Sequence, residues 1–378
     1  MNKKLIRVTT ISMSLDILLK GQLAYLNQYF DVVGLSSGEK NLNIVERREG
    51  IRTIEVGMER EINLLADLKS LIILIKVFRS EKPFIVHTNT PKGSLLSMLA
   101  ACMTHIPHRI YSVTGLRFET TTGLKRFLLK SMERITCFCA TKVIPEGDGV
   151  KNTLLKEKVT KKPLHKILNG NINGIDLTYF SCTTNILEIA NRIRDKNAIF
   201  TFCFVGRLVR DKGVNELIEA FVKLSKELKN VHLLLVGNFE KNLDPISEKI
   251  EKLILNSKEI KFMDYQEDVR PFFAASDALV FPSYREGFPN VVLQAGAMGL
   301  PSIVTDINGC NEIIVQKQNG IIIPSRSADS LYTAMKYFVE QKDDLVKEMS
   351  FKARPMIASR YEQSEVWKAL LDEYQSLR

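Results

Sequence analysis

The sequence predicts an α/β protein made of two successive units, each a parallel sheet covered by helices. Short apolar, β-branched runs alternate with amphipathic helical stretches along the 378 residues, which is typical of parallel α/β architecture. This length suits two domains of about 100–200 residues each. Hydrophobic residues make up 45% of the chain and charged residues 25%, which is an ordinary globular composition.

The first half of the chain alternates between the two kinds of element from its beginning. Apolar residues spaced by three and four predict the helices, and short β-branched runs predict the strands. Pro83 ends one helix, because proline disrupts a helix interior. The predicted strands are 6–11, 31–35, 84–86, 109–113 and 142–144, and the predicted helices are 15–30, 61–80, 95–103 and 124–135.

The alternation stops at residues 169–176, where Asn-Gly pairs favour turns, and it then restarts. We therefore place the linker between the two units here. Ligands of parallel sheets bind at the carboxyl ends of the strands, so we expect the site in a cleft between the units. The predicted strands of the second half are 200–205, 231–236, 260–263, 278–282, 302–304 and 321–323, and the predicted helices are 214–228, 246–255, 270–275, 289–298, 328–340 and 363–376.

The net charge of +10 comes from the first half of the chain. Residues 1–170 contain 27 Lys and Arg against 15 Asp and Glu, whereas residues 171–378 contain 26 against 28. A basic half favours an anionic partner such as a membrane surface, lipid phosphates or nucleic acid, and solvated surface lysines account for it equally well. The helix 124–135 interleaves basic and large apolar side chains, which is typical both of a helix at a membrane surface and of an amphipathic helix packed on its own sheet.

The six cysteines and the short apolar runs indicate in which cellular compartment we expect the protein. No two cysteines form a CxxC pair, which argues against a structural zinc site or a disulfide framework, so a reducing compartment fits better. The longest dense apolar run, residues 71–75, is far below the roughly 18 residues of a membrane-spanning helix. We expect a cytoplasmic protein whose contact with the inner face of the cytoplasmic membrane, where it occurs, is peripheral.

The first stretch with chemical content follows the strand 200–205. The strand leads into Gly206, and the next loop carries Arg207 and Lys212. Arginine offers a planar fork of donors and lysine a point charge, so the two cations can bind a diphosphate at the end of the strand. Taken alone, both residues are equally compatible with ordinary surface charge.

The second stretch, Pro282 to Ala295, combines a loop carboxylate with the start of a helix. Glu286 can accept hydrogen bonds from sugar hydroxyls, and Gly287 leaves room for close backbone approach. Pro289 suits the first turn of a helix, whose unpaired amides form an anion site. Gln294 lies two turns further on, where its amide can reach ribose hydroxyls. Taken alone, Glu286 is equally compatible with a carboxylate that stabilises the helix dipole.

A third stretch, Asn308 to Glu312, and the turn Asn319-Gly320 complete a series of motifs. In their order, GRLxxxKG, EGFPxxxxQA, GxxE and NG resemble the family 4 retaining glycosyltransferases of the GT-B fold. The resemblance covers nearly the whole chain and includes residues 85–93, 110–117 and 173–176. Among members of this family, the chain is similar to those that build surface polysaccharides and undecaprenyl-linked glycans.

The resemblance implies the fold and its division into domains. It implies an α/β GT-B protein with two Rossmann-like domains, a central cleft and a C-terminal helix that crosses back to the first domain. The implied N-terminal acceptor-binding domain is 1–168 plus 355–378. The implied C-terminal nucleotide-sugar-binding domain is 169–354.

The resemblance also implies roles for individual residues. Arg207 and Lys212 would bind the donor diphosphate and stabilise charge on the leaving group, and Glu286 would hold the transferred sugar. These three are the candidate catalytic residues. The candidate donor site consists of Gly206, Arg207, Lys212, Met263, Glu286, Gly287, Phe288, Asn290, Val291 and Gln294. The candidates on the acceptor side are Gly21, His87, Thr114 and Arg117.

Three positions depart from the family pattern. Gln294 replaces the second glutamate of an E-x7-E pair, so it keeps an acceptor oxygen and loses the charge. Thr114 stands where a histidine that contacts the donor sugar is frequent, and the loop at Gly21 lacks a second glycine. These departures leave the identities of the sugar and of the acceptor open.

The implied reaction is a retaining transfer of a hexose or N-acetylhexosamine from a nucleotide sugar, expected to be a UDP-sugar, to a saccharide acceptor. We expect a lipid-linked acceptor, as in the synthesis of capsule or lipopolysaccharide. No DxD pair is placed like a metal site, so neither a metal nor another cofactor is expected.

Alternative functions follow from the same residues. A nucleotide-sugar epimerase can share the fold, and Gln294 and Thr114 are compatible with a non-catalytic nucleotide-sugar-binding protein. Nucleic-acid binding is not expected, because the basic half has no aromatic–basic motif. A dehydrogenase is excluded, because no GxGxxG follows the first strand.

Overall fold

A computed structural model of the protein describes residues 3–59, 62–240 and 244–378. The chain forms two compact units: unit 1 is Met1–Gly174 together with Gln363–Arg378, and unit 2 is Ile175–Glu362. The predicted start of a helix at residue 61 lies outside the described residues. Within the described ranges, no helix is both long enough and apolar enough to cross a membrane.

Strands and helices alternate through residues 3–174. The strands are β1 (Lys4–Ile11), β2 (Asp31–Ser37), β3 (Arg52–Glu55), β4 (Ile85–Thr88), β5 (His108–Val113) and β6 (Lys142–Pro145). The helices are α1 (Ser12–Leu18), α2 (Gln22–Leu26), α3 (Glu39–Glu49), α4 (Leu64–Glu81), α5 (Pro91–Met103), α6 (Gly123–Cys139) and α7 (Asp148–Lys156). A 3-10 turn, Arg117–Thr120, precedes α6.

The alternation continues through residues 175–378. The strands are β7 (Phe200–Val205), β8 (Val231–Val236), β9 (Ile260–Met263), β10 (Ala278–Phe281), β11 (Ser302–Thr305) and β12 (Gly320–Ile323). The helices are α8 (Thr184–Ile193), α9 (Val214–Glu227), α10 (Glu248–Asn256), α11 (Arg270–Ala274), α12 (Asn290–Ala297), α13 (Cys310–Ile313), α14 (Ala328–Glu340), α15 (Lys347–Tyr361) and α16 (Gln363–Gln375). A 3-10 turn, Arg210–Lys212, lies between β7 and α9.

Both units contain a parallel six-stranded sheet with the same connection order. The order is β3-β2-β1-β4-β5-β6 in unit 1 and β12-β11-β10-β7-β8-β9 in unit 2. Counted within each unit, both sheets have the doubly wound Rossmann order 3-2-1-4-5-6. The order reverses between β1 and β4 in unit 1 and between β7 and β10 in unit 2. The prediction of an α/β fold with two Rossmann-like domains is confirmed.

The strands are short apolar runs because helices cover both faces of each sheet. Phe200, Phe202 and Phe204 of β7 are fully buried. Unit 1 has one hydrophobic core on each face of its sheet. Helices α4, α5, α6 and α7 enclose the first core, and α1, α2, α3 and α16 enclose the second.

The C-terminal helix α16 belongs to unit 1, as the resemblance implies. Its residues Leu370, Leu371 and Tyr374 pack into the second core of that unit. Because α16 follows the whole of unit 2 in the chain, unit 1 is assembled from two separate segments.

The boundaries between the units differ from the predicted ones. The structure divides the chain after residues 174 and 362, whereas the sequence placed the divisions after 168 and 354. Gln22 Nε2 donates a hydrogen bond to the carbonyl of Ile172 (2.8 Å), which ties the predicted linker to unit 1. The second predicted division falls inside α15. Arg354 fastens this helix to unit 2 by donating to the carbonyls of Leu177 (2.7 Å) and Phe180 (2.6 Å).

Candidate functional site

The switch point of unit 2 brings two predicted motifs together. β7 and β10 are hydrogen-bonded neighbours, and the chain leaves them in opposite directions along the sheet. Such a divergence opens a crevice outside the carboxyl ends of the two strands, where ligands of doubly wound sheets bind. The loop after β7 carries Arg207 and Lys212, and the loop after β10 carries Glu286.

The two loops are fastened to each other through their backbones. Gly213 has a φ of +70°, and a Cβ at this position would lie 2.1 Å from the carbonyl oxygen of Pro282. Glycine is therefore required for both the conformation and the close approach. The amide of Tyr284 also donates to the carbonyl of Asp211 (2.8 Å). This attachment holds Lys212, between Asp211 and Gly213, against the second loop.

Lys212 and Glu286 form an ion pair in the crevice. Their side chains are 19% and 16% exposed, so the pair keeps access to solvent. Ser283, which is buried, donates from its hydroxyl to Glu286 Oε1 (2.8 Å) and fixes the carboxylate. Both side chains lie at the solvent-accessible edge of the sheet. Lys212 can therefore bind a phosphate, and Glu286 a sugar hydroxyl, without moving through the core.

Arg207 lies on the same loop and is more exposed than Lys212. Its Nη1 donates to Glu240 Oε2 (2.7 Å), and the arginine side chain is 54% exposed. An ion pair this exposed contributes only about 0–1 kcal/mol. Arg207 can therefore exchange Glu240 for an anionic ligand at small cost.

The start of α12 completes the candidate donor site. Gly287 and Phe288 are buried just before this helix, and the Phe288 ring packs 5.5 Å from the ring of Tyr361. The Phe288 side chain therefore packs in the core of unit 2. The sequence predicts that the first amides of this helix bind an anion.

The third motif packs directly on the second. A Cβ on Gly309 would lie 2.6 Å from the carbonyl oxygen of Gly287, so the two loops touch through their backbones. The neighbouring Cys310 is fully buried. Burial raises the pKa of its thiol well above the usual value, and Glu286 adds to the effect. The thiol therefore stays protonated and is not a nucleophile.

The remaining donor candidates lie on two elements. Asn290, Val291 and Gln294 are half-buried on α12, and Met263 is half-buried at the end of β9. The Gln294 amide makes no hydrogen bond to the described part of the chain, so it is available to a ligand. Gly206 directly follows β7, as predicted.

Gly21, the first acceptor-side candidate, lies under the C-terminal helix. Its φ is +80°, and a Cβ would lie 2.6 Å from the ring of Trp367 on α16. The carboxylate of Glu49 accepts hydrogen bonds from the amides of Gly21 (2.9 Å) and Ala24 (3.0 Å). A carboxylate of the protein thus already occupies the start of α2, where an anionic ligand would otherwise bind.

His87, the second acceptor-side candidate, is buried with both ring nitrogens engaged. Its Nδ1 contacts the Tyr374 hydroxyl, and its Nε2 lies 2.7 Å from Ser112 Oγ. Burial, with the charge of Arg7 beside it, lowers the pKa of His87 well below its usual value. The ring is therefore neutral. Contact with an acceptor would require these bonds to break.

Arg7 connects His87 to the rest of this buried network. The fully buried guanidinium donates to Gln22 Oε1 (2.7 Å), Tyr374 Oη (2.9 Å) and Asn89 Oδ1 (2.8 Å). The Tyr374 hydroxyl thus accepts from Arg7 and also shares a hydrogen bond with His87 Nδ1. The network binds β1, β4 and α16 to one another.

The last two acceptor-side candidates differ in their surroundings. Thr114 donates its hydroxyl to the carbonyl of Asn89 (2.7 Å) and holds the turn after β4. Arg117 is exposed and makes no hydrogen bond or ion pair with the described residues. Of the four acceptor-side candidates, Arg117 alone has a charged group open to solvent.

Sequence reasoning missed two residues of the donor crevice. Ser283 lies inside the second motif, and its position just before the loop of Glu286 was the available signal. Glu240 follows β8, far from Arg207 in sequence, and no pattern marks it. No three His, Cys, Asp or Glu side chains among residues 3–59, 62–240 and 244–378 converge as metal ligands would. The expectation of a metal-independent reaction stays a prediction.

Two Rossmann-like units, with two cations and a carboxylate at the switch point of the second, are typical of GT-B glycosyltransferases. The chain matches the family "Glycosyl transferases group 1" over residues 188–356 and "Glycosyl transferase 4-like" over residues 14–146. It is 32% identical over 376 residues to the "Capsular polysaccharide biosynthesis glycosyltransferase CapM" of Staphylococcus aureus, covering 99% of this chain and 97% of that protein. The protein belongs to the group 1, family 4-like glycosyltransferases.

More distant relatives agree with this assignment. The chain is 29% identical over 287 residues to the "UDP-Gal:alpha-D-GlcNAc-diphosphoundecaprenol alpha-1,3-galactosyltransferase" of Escherichia coli, covering 75% of this chain and 73% of that one. Among solved structures, Anabaena Alr3699/HepE in complex with UDP and glucose aligns with a TM-score of 0.83 at 15% identity, covering 99% of this chain and all of the other. At 15% identity, the similarity to this solved structure shows the fold alone.

Proposed function

We propose that the protein is a retaining glycosyltransferase that moves a hexose or N-acetylhexosamine from a UDP-sugar to a lipid-linked saccharide during the synthesis of a surface polysaccharide. The observation that carries the proposal is the Lys212–Glu286 ion pair, fixed by Ser283 at the switch point of unit 2. The capsular role named for the Staphylococcus aureus relative supports a role in the synthesis of a surface polysaccharide. The donor and acceptor named for the Escherichia coli relative support a UDP-sugar and a lipid diphosphate.

The donor diphosphate binds among Arg207, Lys212 and the first amides of α12. Lys212 exchanges Glu286 for a phosphate oxygen, which frees the carboxylate for the hydroxyls of the sugar. Ser283 keeps the carboxylate in place during the exchange. The Gln294 amide and the backbone near Met263 then hold the ribose and the base.

The bond between the anomeric carbon and the phosphate oxygen breaks, and its electron pair moves to the departing diphosphate. The acceptor hydroxyl attacks the anomeric carbon from the same face, which retains the configuration, and its proton passes to the departing phosphate oxygen. Negative charge grows on the diphosphate as the bond lengthens. Preorganised cations stabilise such charge most effectively in a site that water does not reorganise.

The reaction as proposed needs no metal, because Arg207 and Lys212 supply the positive charge that a metal provides in other transferases. The proposed place of action is the cytoplasmic face of the membrane that holds the lipid-linked acceptor. A nucleotide-sugar epimerase would use the same donor but would pass no sugar to an acceptor. Membership of a transferase family favours transfer.

Thermal stabilisation by UDP and by a panel of UDP-sugars tests the donor site. We expect one UDP-sugar to stabilise the protein more than UDP does. Glu286→Ala should remove the additional effect of the sugar and keep the effect of UDP, whereas Arg207→Ala should weaken both. Arg210→Ala is the matched control, because Arg210 is an exposed arginine of the same loop with its own ion-pair partner, Asp244, and is not a candidate donor residue.

Two results would contradict the proposal. Failure of every UDP-sugar and of UDP to stabilise the wild-type protein would remove the donor assignment. Stabilisation without release of UDP across a broad acceptor panel would favour a non-catalytic binding protein.

A further inference from the structure

A small hollow lies inside unit 1, between one face of the sheet and α16. Arg7, His87 and Ser112 line it from the neighbouring strands β1, β4 and β5, and Val366 and Leu370 line it from α16. All five residues are buried. This space, the Arg7 hollow, leaves about 20 Å³ for the centre of a water-sized particle. It therefore has room for one or two such particles and is too small for a sugar or a nucleotide.

Two side chains that line the Arg7 hollow have unused hydrogen-bond donors. Arg7 is fully buried and Asn89 is 1% exposed, and both line the hollow. Arg7 Nη2 donates to Asn89 Oδ1 (2.8 Å). Arg7 Nε and Asn89 Nδ2, however, have no hydrogen-bond partner in the described part of the chain. Because a buried donor without an acceptor is costly, the ligand that fits the hollow is one that accepts hydrogen bonds.

The Arg7 hollow also holds a positive charge that no carboxylate compensates. The three acceptors of Arg7 are neutral oxygens, and no described carboxylate forms an ion pair with it. Burial lowers the pKa of Arg7, and Tyr374 opposes this effect. Glu146 also lines the hollow, but no carboxylate is among the groups that shift the pKa of Arg7 or of His87. A guanidinium removed from water is stabilised by a negative charge close to it.

The size, the donors and the charge of the hollow select one class of ligand. A water molecule would accept from both donors but would leave the charge of Arg7 uncompensated. A phosphate or a carboxylate carries the charge but is too large. A halide ion is monatomic, is only slightly larger than a water molecule, and accepts hydrogen bonds from several directions at once. Chloride is the halide that is abundant in physiological solutions.

We propose that the Arg7 hollow binds a chloride ion, which accepts hydrogen bonds from Arg7 Nε and Asn89 Nδ2 and compensates the buried guanidinium. Arg7 joins β1 to β4 and α16 through its other donors, so the ion stabilises the attachment of the C-terminal helix to the sheet. The site lies wholly in unit 1, and the inference does not depend on the proposed transfer reaction. A ligand that binds only the folded state stabilises it increasingly as its concentration exceeds the dissociation constant.

Thermal unfolding in two salts tests the chloride site. Trp367, the single tryptophan, lies on α16, so its fluorescence reports on unit 1. Sodium chloride should raise the melting temperature by about 2–4 °C above sodium gluconate of equal ionic strength, and the rise should saturate. Equal ionic strength removes differences in screening. The same melting temperature in both salts would overturn the proposal.

Asn89→Asp tests whether the ion acts through Arg7. The new carboxylate lies beside Arg7 Nη2 and supplies the missing negative charge, so the variant should have the same melting temperature in chloride and in gluconate. Asn256→Asp is the matched control, because Asn256 is exposed at the end of α10 in unit 2, and it should keep the full chloride response. A response of Asn89→Asp as large as that of the wild type would overturn the proposal.

Arg207→Ala separates the Arg7 hollow from the donor crevice, because the exposed Arg207 of unit 2 can also bind anions. This variant should keep the chloride response, and its loss would place the ion in the donor crevice and overturn the assignment.

Bromide locates the ion in the wild-type protein and requires no substitution. Crystals grown in sodium bromide should show an anomalous-scattering peak within hydrogen-bond distance of both Arg7 Nε and Asn89 Nδ2. Density for water in the hollow without an anomalous peak would overturn the proposal and assign the hollow to water.

Discussion

The two units share one strand order and differ in what lies where that order reverses. In unit 1, β1 carries Arg7 next to β4, and this arginine is fully buried and bound to three neutral oxygens. In unit 2 the charged groups after β7 and β10 are Lys212 and Glu286, which pair with each other within reach of solvent. One network is fixed in place by α16, whereas the other can exchange its partners.

This difference shows that topology places a site and side chains decide its use. A doubly wound sheet offers a crevice at its switch point in either unit. In unit 1, Arg7, His87 and Tyr374 are bound to one another in the neighbouring space, and the amides at the start of α2 already bind Glu49. Unit 2 keeps cations and helix amides accessible. We therefore expect charge changes in unit 2 to alter catalysis and those in unit 1 to alter stability.

Lys212→Ala should have the largest effect on activity. Removal of one preorganised charge from a site that stabilises a leaving group costs about 10²–10³ in rate. UDP release with the donor found in the thermal screen measures this, and Lys212→Arg should restore part of the rate. The urea midpoint should change little, because the ion pair is partly exposed. A loss of rate no larger than that of Arg210→Ala would remove Lys212 from the mechanism.

Glu133 is a carboxylate buried inside unit 1, and we expect its substitution to change stability rather than activity. Burial raises its pKa from 4.5 to about 7, although the hydrogen bond from Tyr111 partly offsets the effect. The folded state therefore keeps the proton to higher pH than the unfolded chain does. The resulting stability is complete below about pH 4.5 and is lost as the pH rises to 7, by about 3 kcal/mol in all.

Glu133→Gln should remove this pH dependence. Urea unfolding at pH 5 and pH 8 measures the pH dependence of the free energy of unfolding. At pH 8 the variant should be more stable than the wild type. Glu365→Gln, on the exposed side of α16, is the control and should leave the dependence intact. If wild type and Glu133→Gln lose equal stability between the two pH values, Glu133 does not hold its proton in the folded state.

The strongly periodic elements could be predicted from the sequence. β7 and α14 have the predicted bounds, because each carries a long, regular apolar pattern. α3 and β3 escaped prediction. α3 buries mainly Leu42 and Val45 among polar residues, and β3 is a four-residue strand at the edge of the sheet. Packing, which sequence patterns do not show, stabilises both elements.

The candidate site could be predicted as a set of motifs but not as a set of contacts. The order of the motifs was sufficient to place Arg207, Lys212 and Glu286 together. No local pattern shows that Tyr374 covers His87, since the two are 287 residues apart. Long-range contacts of this kind depend on how the whole unit folds, so the sequence could not show that Tyr374 encloses His87.

Tyr374→Phe should destabilise unit 1 by about 1–3 kcal/mol, because it leaves His87 Nδ1 buried without a partner and removes an acceptor from Arg7. Urea unfolding measures the change, and stabilisation by UDP should persist, since the donor crevice lies in unit 2. Tyr332→Phe is the control in unit 2, because its hydroxyl bonds to Glu227 at an exposed site. A loss of UDP binding as large as the loss of stability would mean that the two units do not divide their roles in this way.

Glu240→Gln should have the smallest effect and should favour binding. Glu240 competes with the donor for Arg207, and an exposed ion pair is worth about 0.2–1 kcal/mol. The variant should therefore bind UDP up to about fivefold more tightly, as measured by calorimetry at low salt, and the gain should shrink as salt screens both pairs. Glu227→Gln removes the ion pair between Glu227 and the distant Lys336 and should leave the affinity for UDP unchanged. Weaker binding by Glu240→Gln would mean that Glu240 holds Arg207 in its binding position, in which case the cations of unit 2 are fixed in place as Arg7 is in unit 1.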